Sequence, residues 1–370
     1  MKFHVNAMGK ALKCSAKQGK CPFGDSDDHY NSASDARRAY ENHMQEEFTK
    51  ALSGFTKNTS KYLDPLRYLP EHPDSVIREE TLKTAIREKR RLSAFERAKH
   101  EIYVEEVIRS LEERNQTTDQ THARTSSRGL VFTPERALAH SEIINEIMDE
   151  AESVPSRGEA LFAGGLGGAG KSTVLKEFAG IDKSQYITLN PDDIKEIMAE
   201  KGLIPKVEGL TPMEASPLVH EEASHITSVI LEKLRHRRKN IIFDITMASE
   251  KSVQNRINLL TESGYSKIEA IFVDISPETS SERGSIRYVQ GIDQYTEQGK
   301  GQGGRPLPKR LTAAQSASNP QFKSKNAENL ISLSKLNSFT SSPRVFDNNV
   351  SGRDPKELSF VNFSNGFYQN

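Results

Sequence analysis

A glycine-rich turn near the middle of the chain constrains the fold more than any other feature. Its spacing fits G-x-x-x-x-G-K-[ST], and its residues, with the one that follows, are Gly165, Leu166, Gly167, Gly168, Ala169, Gly170, Lys171, Ser172 and Thr173. An apolar run precedes the turn and a segment of helical character follows it, which disfavours a chance match in a flexible loop. Glycines let successive backbone N–H groups curve around phosphate oxygens, and the dipole of the following helix favours negative charge. We therefore expect a phosphate-binding loop (P-loop), with Lys171 at the β- and γ-phosphates of a nucleotide and Ser172 as a ligand of Mg²⁺.

The composition limits the classes of protein to which this chain can belong. Its 370 residues exceed what one compact core usually needs, so we expect a main domain with an appendage. Lys plus Arg and Asp plus Glu both number 51, and the net charge of +0 supports neither nucleic acid nor an anionic membrane as a partner. No apolar run approaches the length of a bilayer span, and the first residues lack the apolar core of a signal peptide. Two cysteines and no tryptophan suit a reducing compartment, so we expect a soluble, cytoplasmic protein.

The N-terminal region, residues 1–58, contains both cysteines and a helical pattern. Cys14, Cys21 and His29, with His4 upstream, have the chemistry of zinc ligands, but their spacing matches no standard zinc motif. A turn-rich segment with ordinary thiols is therefore the preferred interpretation. A disulfide is a third alternative and would need the two sulfur atoms close in space.

Helical patterns dominate the next part of the chain. After a helix at residues 33–55 and a proline-rich interruption, the apolar spacing predicts one long charged helix from about Asp74 to Arg114. The polar residues 115–127 are predicted as a linker, so that residues 59–128 form a charged helical region that ends in a linker. Pro134 then begins a further helix, with Thr133 as its N-cap, inside the main domain at residues 129–370.

Two acidic residues follow a short predicted strand at residues 185–189. In an open parallel sheet, ligands bind beyond the carboxyl ends of the strands, so Asp192 and Asp193 are expected to face the nucleotide. A carboxylate at this place could accept the proton of a hydroxyl that attacks the γ-phosphate. The alternative is that one of them caps the next helix. We prefer Asp192 as the catalytic base.

Further candidates lie at the end of the predicted strand 240–244 and near the start of a predicted helix. Asp244 ends the strand, where a P-loop enzyme places an acid that holds Mg²⁺ directly or through water. Thr246 follows in the next loop and is a candidate substrate contact. Glu222 lies in the polar first turn of the helix, which either faces a substrate pocket or is simply solvated.

Arginines are concentrated in a segment from residue 280 to residue 310. Arg283, Arg287 and Arg305 could neutralise the negative charge of a phosphoryl group during its transfer, because the geometry of a planar guanidinium matches that of phosphate oxygens. The glycines at residues 299–304 suggest a mobile, closing lid. A disordered basic loop is the alternative.

Taken in order, these features resemble the zeta toxin family. The resemblance covers about residues 161–348 and rests on residues 165–173, 189–193, the helix from Glu221, residues 240–246 and the segment to Arg305. It implies a P-loop kinase fold, with a mostly parallel sheet of five or six strands flanked by helices, beside a mainly helical N-terminal extension. It also implies phosphorylation of a sugar hydroxyl on UDP-N-acetylglucosamine or a related sugar nucleotide, with ATP rather than GTP as donor.

The resemblance extends to individual residues and to a partner. Lys171 and Ser172 take the nucleotide and metal positions, Asp192 that of the catalytic base and Arg305 that of a lid arginine, while Arg283 or Arg287 would supply a second arginine. Zeta toxins are typically held by a helical antitoxin. The resemblance therefore implies such a partner, and a related hypothesis is self-inhibition by helices within residues 33–114.

Two other functions fit the same residues. One is the same kinase chemistry on another hydroxyl, in a small molecule or at the end of a nucleic acid. The other is a nucleotide-dependent switch or binding protein that performs no transfer.

Overall fold

The structure is a computed structural model that describes residues 3–5, 11–13, 32, 73–126, 129–306, 314–350 and 352–366. The predicted helix at 33–55 and the candidate ligands Cys14, Cys21 and His29 lie outside the described residues. The chain divides into two compact units. Among the described residues, the first contains those up to Arg114 together with 206–211 and 292–301, and the second contains the others.

The second unit is built on a six-stranded sheet. Its strands are β5 (Glu159–Gly164), β6 (Ile187–Leu189), β7 (Ile241–Asp244), β8 (Lys267–Asp274), β9 (Arg344–Asp347) and β10 (Lys356–Leu358). Their order across the sheet is β10-β9-β8-β5-β7-β6, in which only β10 is antiparallel to its neighbour. The predicted α/β fold with a mostly parallel sheet is confirmed.

The P-loop strand lies at the centre of this sheet because both of its faces are apolar. Phe162 is 0% exposed and stacks on Phe243 of β7, with 4.7 Å between ring centroids. Ala160 pairs with Ile241 on one side and with Ile268 on the other. A strand buried on both faces reads as a continuous apolar run, which is why this strand was predictable.

Helices and short turns cover the sheet and connect its strands. They are α4 (Pro134–Glu152), α5 (Lys171–Thr173) continued by a π-helical turn (Val174–Phe178), α6 (Pro191–Glu200), α7 (His220–His236), α8 (Glu250–Glu262), α9 (Pro277–Gln298), α10 (Lys325–Lys335) and α11 (Phe360–Ser364). As expected, α4 begins with Pro134 at its first position and Thr133 as N-cap residue. Among the described residues, no helix is long and apolar enough to cross a membrane.

The first unit contains a two-stranded antiparallel pair, β1 (Phe3–Val5) with β2 (Ala11–Lys13), and two helices, α1 (Pro73–Glu88) and α2 (Ala94–Glu113). The prediction of one long helix here was wrong. Ser93 and Glu96 form a capping box, in which Ser93 Oγ accepts from Glu96 N at 3.2 Å and Glu96 Oε2 accepts from Ser93 N at 2.7 Å. Such a pair satisfies backbone N–H groups that are free at the start of a helix. A second helix therefore begins here, within the segment whose apolar spacing predicted a single helix.

The first unit also contains two segments from later in the chain. Glu208 receives a hydrogen bond from Lys83 Nζ at 2.5 Å, and its carbonyl receives one from Tyr103 Oη at 3.1 Å. Arg91 lies 2.9 Å from Glu297, which is near the end of α9. Side chains of α1, α2 and the turn between them thus hold both segments.

The predicted linker at 115–127 is largely structured. It contains α3 (Thr118–Thr121) and β3 (Ala123–Ser126), which pairs in an antiparallel hairpin with β4 (Gly129–Phe132). Thr118 is fully buried and its hydroxyl donates to the carbonyl of Leu218 at 3.3 Å. Polar composition was a poor guide here, because threonine is a good strand residue and its hydroxyl can be satisfied internally.

Candidate active site

The P-loop leaves the carboxyl end of β5 and curves back to α5 in a conformation that requires glycine. Gly165 has a φ of +133°, and a Cβ at this position would lie 2.4 Å from the carbonyl oxygen of Val273. Lys171 Nζ donates to the carbonyls of Gly165 at 3.0 Å and Leu166 at 3.3 Å. The lysine therefore spans the loop from its inside, where it can exchange these carbonyls for phosphate oxygens.

Two side chains from outside the loop hold its backbone in place. Asn348, which follows β9, donates through Nδ2 to the carbonyl of Ala169 at 2.8 Å. Arg283 donates to the carbonyl of Gly168 at 3.4 Å and to that of Asn348 at 2.9 Å. These bonds fix the curvature of the loop, and no motif in the sequence pointed to Asn348.

Arg283 and Arg287 lie within the regular helix α9 rather than on a mobile loop, which corrects the expectation for this segment. Buried residues recur at every fourth position along the helix, namely Ser280, Gly284, Tyr288, Ile292 and Thr296. Most members of this stripe are small or polar, so a search for apolar periodicity misses it. Arg287 is exposed.

The two candidate bases lie in the first turn of α6, directly after β6. The helix is capped by Asn190, whose side-chain oxygen accepts from Asp192 N at 2.9 Å, so neither aspartate acts as the cap. Asp192 Oδ1 lies 2.9 Å from Arg305 Nη1 and 3.2 Å from Lys195 Nζ. The structure thus brings together Asp192 and Arg305, which are more than a hundred residues apart in the chain.

The charges around the two aspartates differ. Burial acts to raise the pKa of Asp192, but the neighbouring charges of Arg305 and Lys195 outweigh it and hold that pKa below its usual range. Desolvation, together with the carboxylates of Glu196, Asp244 and Asp192, raises the pKa of Asp193 to about 6. Adjacent residues on one helix therefore have opposite shifts.

Arg305 sits on an extended segment that is anchored against α9. Gly304 is buried, and a Cβ at this position would lie 2.2 Å from the carbonyl oxygen of Tyr288. The carbonyl of Gln302 accepts from Met213 N at 3.0 Å, while Tyr288 Oη donates to Glu214 at 2.6 Å. The arginine is thus presented by a docked segment, and Lys309 and Arg310 beyond it lie outside the described residues.

Asp244, at the carboxyl end of β7, faces the P-loop. Its Oδ1 lies 3.3 Å from Lys171 Nζ, and its side chain is 21% exposed. Ser172 is exposed at the start of α5. A hydroxyl and a carboxylate are oxygen donors of the kind that Mg²⁺ prefers. Within the described part of the chain, no group of three His, Cys, Asp or Glu side chains is arranged for a metal ion.

Thr246 follows β7 and its carbonyl accepts from Asn326 Nδ2 at 2.5 Å. Its side chain is partly exposed. The backbone of this loop is therefore tied to the start of α10, and the hydroxyl stays a candidate for contact with substrate.

Glu222, predicted as a substrate contact, lies in the interior instead. It is 0% exposed, and its two carboxylate oxygens accept from Arg136 Nη2 at 2.7 Å and His140 Nε2 at 2.6 Å. Burial acts to raise its pKa, yet the bonds from His140 and Thr118 and the charge of Arg136 hold that pKa below its usual range. Its carboxylate therefore ties α7 to α4, which overrides the expectation of a face open to substrate.

Comparison with known proteins agrees with this geometry. The zeta toxin family profile matches residues 144–328, which is half of the chain. The search of curated proteins found no match to this chain. The P-loop, the acids at the strand ends and the family match define a P-loop kinase, which is an ATP-dependent phosphotransferase. The chain belongs to the zeta toxin family.

Solved structures show more distant similarity. A chain in the complex of AvrRxo1-ORF1 with AvrRxo1-ORF2 and sulphate ions is 18% identical in sequence, with a TM-score of 0.48. The match covers 65% of the present chain and 75% of the matched chain. The PezAT toxin–antitoxin system of Streptococcus pneumoniae is 15% identical, covers 65% and 89%, and has a TM-score of 0.43. A putative kinase from Chloroflexus aurantiacus is 16% identical, covers 40% and 83%, and has a TM-score of 0.29.

Proposed function

We propose that this kinase transfers the γ-phosphoryl group of ATP to a hydroxyl of a sugar nucleotide, with UDP-N-acetylglucosamine as the leading candidate. The observation that carries the proposal is the convergence of Lys171, Asp192, Asp244 and Arg305 on the carboxyl edge of the sheet. Open α/β folds bind their ligands at this edge. The four side chains supply the two cations, the metal-binding acid and the base that phosphoryl transfer to an alcohol requires.

The loop and its surroundings fit a nucleotide with Mg²⁺. A Cβ at Gly165 or Gly170 of the P-loop would lie within 2.8 Å of a neighbouring atom, so the bare backbone is available there to cradle the phosphates. Ser172 and Asp244 would hold the metal through oxygen atoms. A bound Mg²⁺ would supply positive charge against the phosphate oxygens.

The transfer step assigns a role to each remaining side chain. Asp192 would accept the proton of the acceptor hydroxyl as its oxygen attacks the γ-phosphorus. The bond between that phosphorus and the bridging oxygen of ADP breaks, and ADP leaves. Lys171 and Arg305 would stabilise the negative charge that develops on the transferring group.

The choice of acceptor rests on family membership and on charge. Two cations, Arg305 and Lys195, flank the candidate base, where the acceptor would bind. Positive charge at this place suits an acceptor that itself carries a diphosphate, as a sugar nucleotide does. A neutral hydroxyl compound would offer these two cations no negative charge beyond that of Asp192.

A regulatory partner is part of the proposal. The PezAT structure is described as a toxin–antitoxin system, and an antitoxin for this chain is the corresponding proposal. Self-regulation by α1, α2 and the turn between them is the alternative, and it is supported by the ion pair of Arg91, in that turn, with Glu297. Glu297 belongs to the part of the chain that continues directly into the segment of Arg305.

The test is transfer of labelled phosphate from γ-labelled ATP, with Mg²⁺, to UDP-N-acetylglucosamine. Lys171→Ala should abolish nucleotide binding and transfer, whereas Asp192→Asn should retain nucleotide binding and lose transfer. The unmodified protein is expected to produce labelled sugar nucleotide, and neither variant is expected to produce it. ATP hydrolysis without labelled acceptor would overturn the choice of acceptor and direct the search to other hydroxyl compounds. Full transfer by Lys171→Ala would overturn the kinase site itself.

A further inference from the structure

A buried lysine beside the candidate base has no role in the transfer step described above. Lys195 lies one turn after Asp192 on α6, and its side chain is only 8% exposed. Burial lowers the pKa of Lys195, although the charge of Asp192 opposes this shift. A lysine is rarely buried without a specific partner, because its charge must be removed from water. Its partner here is Asp192, at 3.2 Å.

The two carboxylate oxygens of Asp192 have different surroundings, because both neighbouring cations approach the same oxygen. Lys195 Nζ and Arg305 Nη1 both approach Oδ1 of Asp192, at 3.2 Å and 2.9 Å. The Asp192 side chain is nevertheless 41% exposed. The second oxygen, Oδ2, is therefore the one that an acceptor hydroxyl can reach.

The two cations are not equivalent. Arg305 is on an extended segment and must leave Asp192 if it is to bind the phosphoryl group during transfer. Lys195 is fixed within α6 and stays beside Asp192 throughout. On the basis of the proposed function, we propose that Lys195 is a positioning residue that holds Oδ1 of Asp192, directs Oδ2 toward the acceptor hydroxyl and keeps the base ionised after Arg305 has moved to the phosphate.

The charges that act on Asp192 come from three elements. They are Arg305 on its extended segment, Lys195 and Asp193 on α6, and His220 at the start of α7, while Asp244 at the end of β7 acts on Asp193. Removal of Lys195 subtracts one of the fixed positive charges in this group. Since a nearby cation favours the ionised carboxylate, its loss must raise the pKa of Asp192.

The experiment compares Lys195→Met, Lys195→Arg and the control Lys201→Met in the full chain. Lys201 directly follows the same helix and pairs with Glu146 at 2.6 Å, so its replacement removes a lysine at the end of α6 without touching Asp192. Methionine is close in length to lysine and removes a buried charge, so the variant is expected to fold with unchanged or higher thermal stability. Two readouts are used: transfer to UDP-N-acetylglucosamine across pH, and the carboxyl ¹³C signal of Asp192, identified by its disappearance in Asp192→Asn.

For Lys195→Met we expect kcat to fall roughly tenfold, a fraction of the about 10²–10⁴-fold that a general base contributes. The KM for ATP should be unchanged. The acid limb of the rate profile and the titration of the Asp192 signal should both move to higher pH. Lys195→Arg should restore most of the rate and both pH midpoints, and Lys201→Met should match the wild type.

Three results would overturn the inference. The first is an unchanged Asp192 titration in Lys195→Met, which needs no acceptor to observe. The second is a shifted titration with unchanged kcat, on an acceptor whose labelling Asp192→Asn abolishes. The third is full transfer by Asp192→Asn, which would overturn the base assignment in the proposed function and leave Lys195 with only an electrostatic effect on a side chain that is not catalytic.

Discussion

Substitution of Gly304 by alanine should disable the kinase without disturbing its nucleotide site. A Cβ on Gly304 would lie 2.2 Å from the carbonyl oxygen of Tyr288 and 2.9 Å from its Cδ2. The carbonyl belongs to the rigid helix α9, so the movable partner is the extended segment that carries Arg305. The same contact can be broken from the opposite side, since a Cβ on Gly291 would lie 2.7 Å from Cα of Gly304.

The size of the effect follows from these distances. Relief of the clash to ordinary contact at 3.4 Å requires a displacement of about 1.2 Å from the 2.2 Å separation. Arg305 is the next residue, and its Nη1 now lies 2.9 Å from Asp192 Oδ1. A shift of this size away from Asp192 takes the guanidinium out of ion-pair distance. Misplacement of a catalytic group by about 1 Å costs on the order of 10²-fold in rate, so we expect a loss of that order in kcat.

The assay measures kcat for phosphoryl transfer together with the affinity for ATP. Gly304→Ala and Gly291→Ala should both lose turnover while nucleotide affinity stays within a few-fold of the wild type. Gly299→Ala is the matched control, because it has a φ of +61° but its added Cβ meets nothing within 4 Å. It carries the cost of the left-handed backbone without the clash and should retain more activity. Equal loss in all three variants, or full activity in Gly304→Ala, would refute the argument.

Three further predictions concern stability and control. Glu222→Gln should lower the free energy of unfolding by about 3 kcal/mol, because it leaves Arg136 buried without its counter-charge. The measurement is a denaturant titration, and a loss below about 1 kcal/mol would contradict this prediction. Asp193→Asn should raise the melting temperature at pH 7.5 but not below pH 4, since a carboxyl pKa raised to about 6 makes the ionised form unfavourable in the fold; an equal effect at both pH values would oppose this assignment. If the α1–α2 region regulates the segment of Arg305, Arg91→Glu and Glu297→Arg should each change the transfer rate, and the double variant should restore it. Unchanged single variants would exclude regulation through this pair.

Much of the site was predictable because it is encoded locally. The P-loop needs consecutive residues in fixed conformations, so its spacing survives in the sequence and locates Lys171 and Ser172. Asp192 and Asp244 each follow a short apolar strand, and the parallel sheet brings strand ends to one edge. Local motifs and one topological rule were sufficient for these four positions.

The rest of the site depends on contacts between distant parts of the chain. Asn348 supports the P-loop from more than 170 residues away, and its own neighbourhood contains no signal for that role. Glu222 looked like an exposed polar residue at a helix start, because the arginine and histidine that neutralise it lie on α4. Lys195 was detectable in principle from its spacing of three residues from Asp192, which places both side chains on one helix face.

The neighbours Asp192 and Asp193 show how surroundings, rather than residue type, divide two identical side chains. Asn190 caps α6, so neither aspartate is used for capping. Asp192 faces two cations, and a carboxylate that must remain ionised while phosphate charge gathers beside it benefits from them. Asp193 faces Asp244, the proposed Mg²⁺ ligand, among other acids, and its ionisation is unfavourable as long as that negative charge is not balanced. A divalent cation at Asp244 would reverse this penalty, because the ion would be the largest local charge. The two residues would then have different roles: Asp192 would accept the proton of the acceptor hydroxyl, and the negative charge of Asp193 would attract the metal ion.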